Sequence, residues 1–222
     1  DRLSRRELTT YSKDNITKCL YRPFDNRWLY YSRKITSRPA WAVIKHIVGK
    51  DNLCIGLGRQ GMAVNDPIWT LITVSRATTD TNVFRRGGIS IFPLYLYPDD
   101  SKNTLFEINE DNAALHRRRT NFNQAFIKDF SSKLGMRFVQ DGKGDLQDTF
   151  GPEDIFNYMY SVFYSPTYRE LYAEFLKIDF PRLPFTSNTN LFRKLCALGE
   201  RLVELHLMEK IGKITTKYPV PG

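Results

Sequence analysis

The sequence is poor in the residues around which many enzymes and metalloproteins are built. Its three cysteines, Cys19, Cys54 and Cys196, lie far apart and form no C-x-x-C pair. That excludes a disulfide framework and a paired-cysteine zinc site, and it suits a reducing cytosol. The three histidines, His46, His116 and His206, are equally scattered. No metal site is expected from them, and no Ser-His-Asp or Cys-His constellation is assembled by their spacing. No apolar run approaches the length of a membrane span, and no basic-then-apolar leader opens the chain. The expectation is a soluble, cytoplasmic protein without a membrane partner. Internal repeats and low-complexity tracts are also missing.

What the chain does carry is aromatic mass and unevenly placed charge. Fifteen Phe, twelve Tyr and three Trp supply large anchors for a core or for flat ligands. The net charge is +9, and nearly all of it sits at one end. Residues 1–50 hold twelve Lys/Arg against four Asp/Glu; the remainder holds 21 against 20. Positive charge clustered in this way implies a polyanionic partner. At 222 residues the chain buries a core without staples and fits one domain, or one with a small appendage. Because residue 1 is Asp, the chain reads as a piece cut from a longer protein.

Pattern along the chain predicts an α+β fold, with a strand-rich N-terminal part, residues 1–150, and a C-terminal helical subdomain, residues 151–222. A short polar helix opens it. "RWLYY" reads as a strand by its aromatic content, and "AWAVIKHIVG" as a helix ended by Gly49. "NLCIGLG", "IWTLITVS" and "GGISIFPLYLYP" read as strands separated by turn residues. Residues 99–120 are polar and predict a loop. "NQAFIKDFSSKLG" is an amphipathic helix with Phe126, Ile127 and Phe130 inward and a stop at Gly135. "GPEDIFNYMYSVFYS" places Pro152 and two acids in a first helical turn. "PTYRELYAEFLKI" follows as a helix, then the proline-stiffened "DFPRLPFT". In the last helix, "LFRKLCALGERLVELHLM", Leu191, Leu195, Leu198, Leu202 and Leu205 recur at helical spacing and predict the packed face.

Three motifs suggest chemistry and fail on context. Gly56, Gly58 and Gly61 give G-x-G-x-x-G, a dinucleotide fingerprint only where a strand precedes it and a helix follows. A strand precedes, but Asn65-Asp66-Pro67 comes at once where the helix belongs. Asp66-Pro67-Ile68-Trp69 resembles the [DN]-P-P-[YFW] loop of amino-methyltransferases without its second proline, and reads as a turn into a strand. Asp99-Asp100-Ser101-Lys102 crowds into one loop the acids that a nuclease draws from separate elements. Glu170 and Glu174, with Arg169 and Lys177 nearby, read as a solvated helix face. No catalytic residue and no cofactor are expected.

The basic, aromatic end survives this scrutiny. Arg22, Arg27, Arg33, Lys34, Arg38 and Lys45 alternate with Tyr21, Phe24, Trp28, Tyr30, Tyr31 and Trp41. Arg22 and Arg27, on either side of Pro23 and Asp25, read as an Arg–Asp pair bracing a turn. "SRKITSR", residues 32–38, reads as a phosphate contact through Arg33, Lys34 and Arg38. Arg59 and Gln60, with Arg76, Asn82, Arg85 and Arg86 in the loop 75–86, are the residue types that read base edges. Arg117, Arg118 and Arg119 fit either a phosphate contact or a solvated run.

Several stretches together resemble a known family. "YRPFDNRWLYY", "FPLYLYPD", "IFNYMYSVFYSPTYRELYAEFLKIDFPRLPF" and "LGERLVELHL" are similar to the C-terminal region of type ISP restriction–modification enzymes and of related methyltransferase–nuclease fusions. Those bacterial single polypeptides join a nuclease, a helicase-like ATPase, an N6-adenine methyltransferase and a C-terminal target recognition domain. The resemblance implies a non-catalytic module that reads a short asymmetric duplex sequence for a parent methyltransferase and endonuclease. Its partners would be double-stranded DNA and the parent's methyltransferase domain, which the helical end would contact. "YRPFD" and "SPTYRE" are expected to be shared scaffold. The rivals are a divergent nucleotide- or S-adenosylmethionine-binding enzyme using Gly56–Gly61, and a protein-interaction module with a basic docking face.

Overall fold

The computed structural model describes residues 10–36, 40–59, 68–84, 88–98 and 118–212. It is mixed α+β, with small sheets leading and helices dominating after residue 123. The opening polar helix, Gly61, Asp66-Pro67 and the Asp99–Lys102 loop lie outside the described residues, as does nearly all of the expected loop 99–120.

The first sheet is a hairpin. β1 (Ile16–Arg22) pairs antiparallel with β2 (Asp25–Tyr30). The two-residue connection holds Phe24 at φ 64°, a left-handed conformation that costs a non-glycine residue about 1–3 kcal/mol. The expected brace is present: Arg27 Nη2 lies 2.8 Å from Asp25 Oδ2. Arg22 instead faces Asp80, at 3.9 Å. β5 (Thr78–Thr79) adds to the free side of β1 in parallel.

Between these elements α1 (Trp41–Ile44) is a single turn, shorter than its sequence predicts. The reason lies at its start. Ala40 has no side chain to cap the first N–H groups and sits in the left-handed region at φ 43°. Turns carry the chain on to Gly49, at φ 68°.

The second sheet is the core layer. β3 (Cys54–Leu57) runs between β4 (Ile72–Ser75) and β6 (Ser90–Pro93), antiparallel to both. Every residue of β3 and β4 is buried; β3 is a continuous apolar run, whereas β4 alternates Ile72 and Val74 with the buried Thr73 and Ser75. β7 (Tyr95–Leu96) pairs with β8 (Arg119–Thr120).

The helical part is built on α2 (Gln124–Leu134), capped by the Asn123 side chain and ended at Gly135, φ 66°. As expected from their spacing, Ile127 and Phe130 are buried and Phe126 is partly so. Two short parallel strands, β9 (Arg137–Phe138) and β10 (Thr149–Phe150), lead into α3 (Pro152–Tyr164). Its N-terminus forms as its sequence predicts, with Pro152 at the first turn and Glu153 and Asp154 beside it. The Asp154 carboxylate is buried and accepts from the Gly144 and Gly151 N–H groups, at 2.7 and 2.8 Å. The next stretch is not one helix but two, α4 (Pro166–Leu171) and α5 (Ala173–Ile178), separated at Tyr172.

The last helix, α6 (Thr189–His206), corrects the leucine reading. Leu195 and Leu202 pack half-buried against the core as expected, but the fully buried residues are Phe192, Cys196, Gly199 and Val203, and Leu191, Leu198 and Leu205 are exposed. Gly199 sets this orientation. A Cβ there would lie 1.8 Å from the Asn157 backbone carbonyl oxygen, so α3 and α6 touch backbone to backbone where only glycine fits.

One contiguous core draws on both stretches, from Ile55, Trp69 and Ile72 to Phe130, Phe163 and Phe192. Trp69 donates its indole N–H to the Gly58 carbonyl at 2.7 Å.

Candidate nucleic-acid interface

The glycines that open the enzymatic reading are packing residues. Gly56 lies inside β3, where a Cβ would meet Ile89 and Thr73 side chains at 2.8 Å. At Gly58 it would meet Leu71 at 3.1 Å. Both face the sheet's own side chains. The three thiols are pushed up by burial, Cys54 to about 12; Cys54 and Cys196 are buried and Cys19 is half-buried on β1. Among the described residues no group of three or more His, Cys, Asp or Glu side chains is placed to hold a metal ion. Nor is any described helix long and apolar enough to cross a membrane.

Surface chemistry is concentrated on the hairpin. In an antiparallel pair, alternate residues share one face, so Lys18 and Trp28, directly opposite in register, stand side by side. The Lys18 ammonium lies 5.8 Å from the Trp28 ring centroid, and Trp28 is 71% exposed. Ile16, Lys18, Leu20, Asn26 and Trp28 form one wall of an open trough of about 600 Å³. Ile47–Lys50 and Val74–Ala77 form the other side, and His206, Leu207 and Glu209 close it. An exposed indole with a lysine and an amide beside it offers a flat apolar surface, a cation and a hydrogen-bonding group together.

The hairpin tip is docked at this same end. The Phe24 ring meets His206 edge-on at 5.6 Å, and His206 Nδ1 lies 2.7 Å from the Tyr160 hydroxyl. Burial pushes the His206 pKa down, favouring the neutral ring.

The sequence-derived site residues fall at several places. Arg33 and Lys34 project from a turn closed on itself: Thr36 N–H donates to the Ser32 carbonyl at 2.8 Å, and Ser32 N–H to the Thr36 hydroxyl at 3.1 Å. Both are exposed, with the Arg33 guanidinium 5.0 Å from the Trp41 ring centroid. This turn follows β2 directly, so it belongs to the hairpin's open end. Arg76 lines the trough, where Glu209 engages it at 2.6 Å and Asp51 at 3.6 Å. The bond to Glu209 raises its already high pKa.

Arg59 is exposed at the far end of the β3–β4 ladder from Arg76, roughly 20 Å away at about 3.4 Å per residue. Its guanidinium lies 5.8 Å from the Phe180 ring centroid. Asn82 is exposed beside the hairpin tip, its N–H donating to the Asp80 carboxylate at 2.6 Å. Arg38, Gln60, Arg85 and Arg86 lie outside the described residues.

Two arginines have structural work that their sequence does not announce. Arg118 is mostly covered, binds Asp141 through two nitrogens, and stacks 3.9 Å from the Tyr95 ring centroid. It belongs neither to a solvated run nor to a phosphate contact. Arg169 is not on the solvated helix face; it donates to the Phe163 carbonyl at 2.8 Å and lies against Trp69 and Tyr164. Glu174 and Lys177 do pair at the surface, at 2.6 Å.

Lys18 is the principal interface residue that its type and sequence position do not single out, and in the sequence Trp28 is one of several aromatics that fit a core equally well. The signal in the sequence was partial: a two-residue turn at Pro23-Phe24 counts Trp28 opposite Cys19, and the register shift between Leu20 and Arg22 sets it opposite Lys18 instead.

Comparison with known proteins follows the same direction. No curated protein matches the chain. Among solved structures, it superposes on the ATP-dependent Type ISP restriction–modification enzyme LlaBIII bound to DNA with a TM-score of 0.68 at 21% identity, covering 97% of this chain and 12% of that one. The DrdV–DNA complex gives 0.65 at 25% identity, covering 91% and 17%. A nuclease-deletion mutant of the Type ISP enzyme LlaGI, in complex with a DNA substrate mimic, gives 0.61 at 25%, covering 93% and 15%. The chain thus spans between about an eighth and a sixth of the structures it matches. The profile of the Type ISP C-terminal specificity domain matches residues 1–222, the whole length. The chain belongs to the Type ISP C-terminal specificity domain family.

Proposed function

We propose that this chain reads a short double-stranded DNA sequence, positioning the methyltransferase and nuclease of a larger cytoplasmic restriction–modification polypeptide on their target. The observation that carries this reading is the match to a specificity domain along all 222 residues. The DNA-bound state of the enzymes it resembles supports duplex DNA as the ligand. So does the basic end, with Lys18, Trp28, Arg33 and Lys34 on one hairpin and the turn that follows it. The enzyme alternative is not favoured, because Gly56 and Gly58 pack against the sheet's own side chains rather than line a phosphate cradle.

In this reading Arg33, Lys34 and Arg38 hold phosphates and fix register, while Arg59, Gln60, Asn82, Arg85 and Arg86 reach base edges. Arg76 reaches the duplex from the trough, against the pull of Glu209. Lys18 and Trp28 extend the contact along the hairpin.

The test is selection of bound duplexes from a random library, followed by affinity against salt. An enriched short asymmetric motif is the expected result, with a log–log salt slope of about −0.9 per neutralised phosphate. Lys34→Ala then weakens every duplex alike, whereas Arg59→Ala relaxes one position of the motif. Binding without any enriched motif defeats sequence recognition by this domain. Failure to bind at low salt defeats DNA as the ligand.

A further inference from the structure

Helix α6 carries two apolar stripes and uses one of them. Phe192, Cys196, Gly199 and Val203 are buried within the domain. Leu191, Leu198 and Leu205 recur every seven residues on another face and are 45%, 53% and 47% exposed. Seven residues make almost two helical turns, so the three leucines form a nearly straight outward seam. Lys194 and Arg201, each three residues after a seam leucine, run along its edge. Neither has an acidic partner among the described residues. The helix's own carboxylates are engaged elsewhere, Glu200 by Lys143 and Glu204 by Lys210.

We infer that this seam docks a second helix, amphipathic and acidic along its flanks, supplied by the longer polypeptide in which such a domain stands. With Leu195 and Leu202, which lie half-buried between the two faces, the exposed leucines complete a stripe spaced 4-3-4-3, the pattern that seats one helix on another. Charge selects the occupant. If a second copy of this chain packed here in parallel, Lys194 would face Lys194 and Arg201 would face Arg201. Packed antiparallel about Leu198, each Lys194 would lie within a turn of the other chain's Arg201. Neither arrangement brings an unengaged α6 carboxylate to the seam, so self-pairing adds like charges. A helix with Asp or Glu beside its apolar stripe neutralises both cations. Solved relatives provide room for such a helix, since the domain covers only 12–17% of their chains. The inference stands independently of DNA recognition.

The experiment uses the 222-residue chain and two designed helical peptides with the same leucine heptads, one flanked by Glu and one by Lys. Binding is read by fluorescence anisotropy at low salt, and self-association by sedimentation. The chain is expected to sediment as a monomer and to bind the Glu-flanked peptide at least about tenfold more tightly than the Lys-flanked one. The triple change Leu191→Ser, Leu198→Ser, Leu205→Ser is expected to remove that binding. The double change Lys194→Glu, Arg201→Glu, which leaves the leucines in place, is expected to reverse the peptide preference. Binding of neither peptide, equal binding of both, or undiminished binding by the triple variant overturns the inference. So does a dimer that the triple variant dissolves, which would make a second copy the occupant.

Discussion

Phe130 and Trp28 are both large aromatic side chains on regular elements, one in the helical part and one on the hairpin. Phe130 is fully buried, with the rings of Phe126, Phe150, Tyr158, Phe185 and Phe192 centred 5.5–5.8 Å from its own. Trp28 is 71% exposed, with the Lys18 ammonium 5.8 Å from its ring centroid. The same contrast holds for the arginines. Arg118 and Arg169 are tied to carboxylates, carbonyls and rings inside the fold, whereas Arg33 projects from a surface turn. Residue type alone therefore does not separate scaffold from contact surface here. What separates them is how far the fold covers the side chain.

The largest test of that division is Phe130→Ala. It removes the ring on which α2, β10, α3 and α6 converge and leaves a cavity that those rigid elements cannot fill. The expected loss is about 3–5 kcal/mol. At roughly 2–4 °C per kcal/mol for a chain of this size, calorimetry will resolve it easily. DNA affinity of the molecules that remain folded should not change. A loss below about 1 kcal/mol would mean that the aromatic cluster is not the centre of the fold.

Trp28→Ala sharpens the other side. As a surface substitution it should move stability by no more than about 0.5 kcal/mol. As a contact residue it should weaken duplex binding by about tenfold or more, the scale of a truncated aromatic anchor. Lys18→Ala should weaken all duplexes and reduce the salt slope by about 0.9, one phosphate's worth. The reverse pattern for Trp28, stability lost and binding kept, would return the hairpin to the scaffold.

Much of this architecture was legible in the sequence, and the gaps have physical causes. α2 and α3 were readable at both ends because their signals are local. Asn123 caps, Gly135 stops, and Pro152 with two acids marks a first turn. β3 was readable because full burial leaves an uninterrupted apolar run, and β4 because β-branched residues fill most of it. The inward face of α6 was misread because periodicity follows the most hydrophobic stripe. Orientation is set instead by a glycine that only close packing explains. Arg118 was opaque for another reason: its partner Asp141 lies 23 positions away and is brought near only by the fold. At the candidate interface, chemistry was legible and grouping was not. Arg59 and Arg76 are both near strand ends, but their separation depends on antiparallel register that composition does not specify.

The smallest expected effect tests the seam between the two regions, where His206 touches Phe24 of the hairpin and Tyr160 and Tyr164 of α3. Its folded pKa is lowered by burial. Between that value and the ordinary 6.5, the unfolded chain therefore binds a proton that the folded chain resists. The stability this group contributes is full above about 6.5 and is lost as pH falls through the folded value. Asp25, Asp141 and Asp145, the last held near 2 by backbone N–H groups, have lowered pKa values and lose their contributions only below the usual carboxylate range. They leave the interval from pH 7.5 to 5.5 undisturbed. Asp154, raised by burial, works in the opposite sense: its contribution is lost as pH rises through its folded value. A fall in melting temperature between pH 7.5 and 5.5 should shrink in His206→Asn, which keeps a polar group toward Tyr160. An unchanged fall in that variant would place the pH-sensitive contact elsewhere and leave the hairpin held by its packing alone.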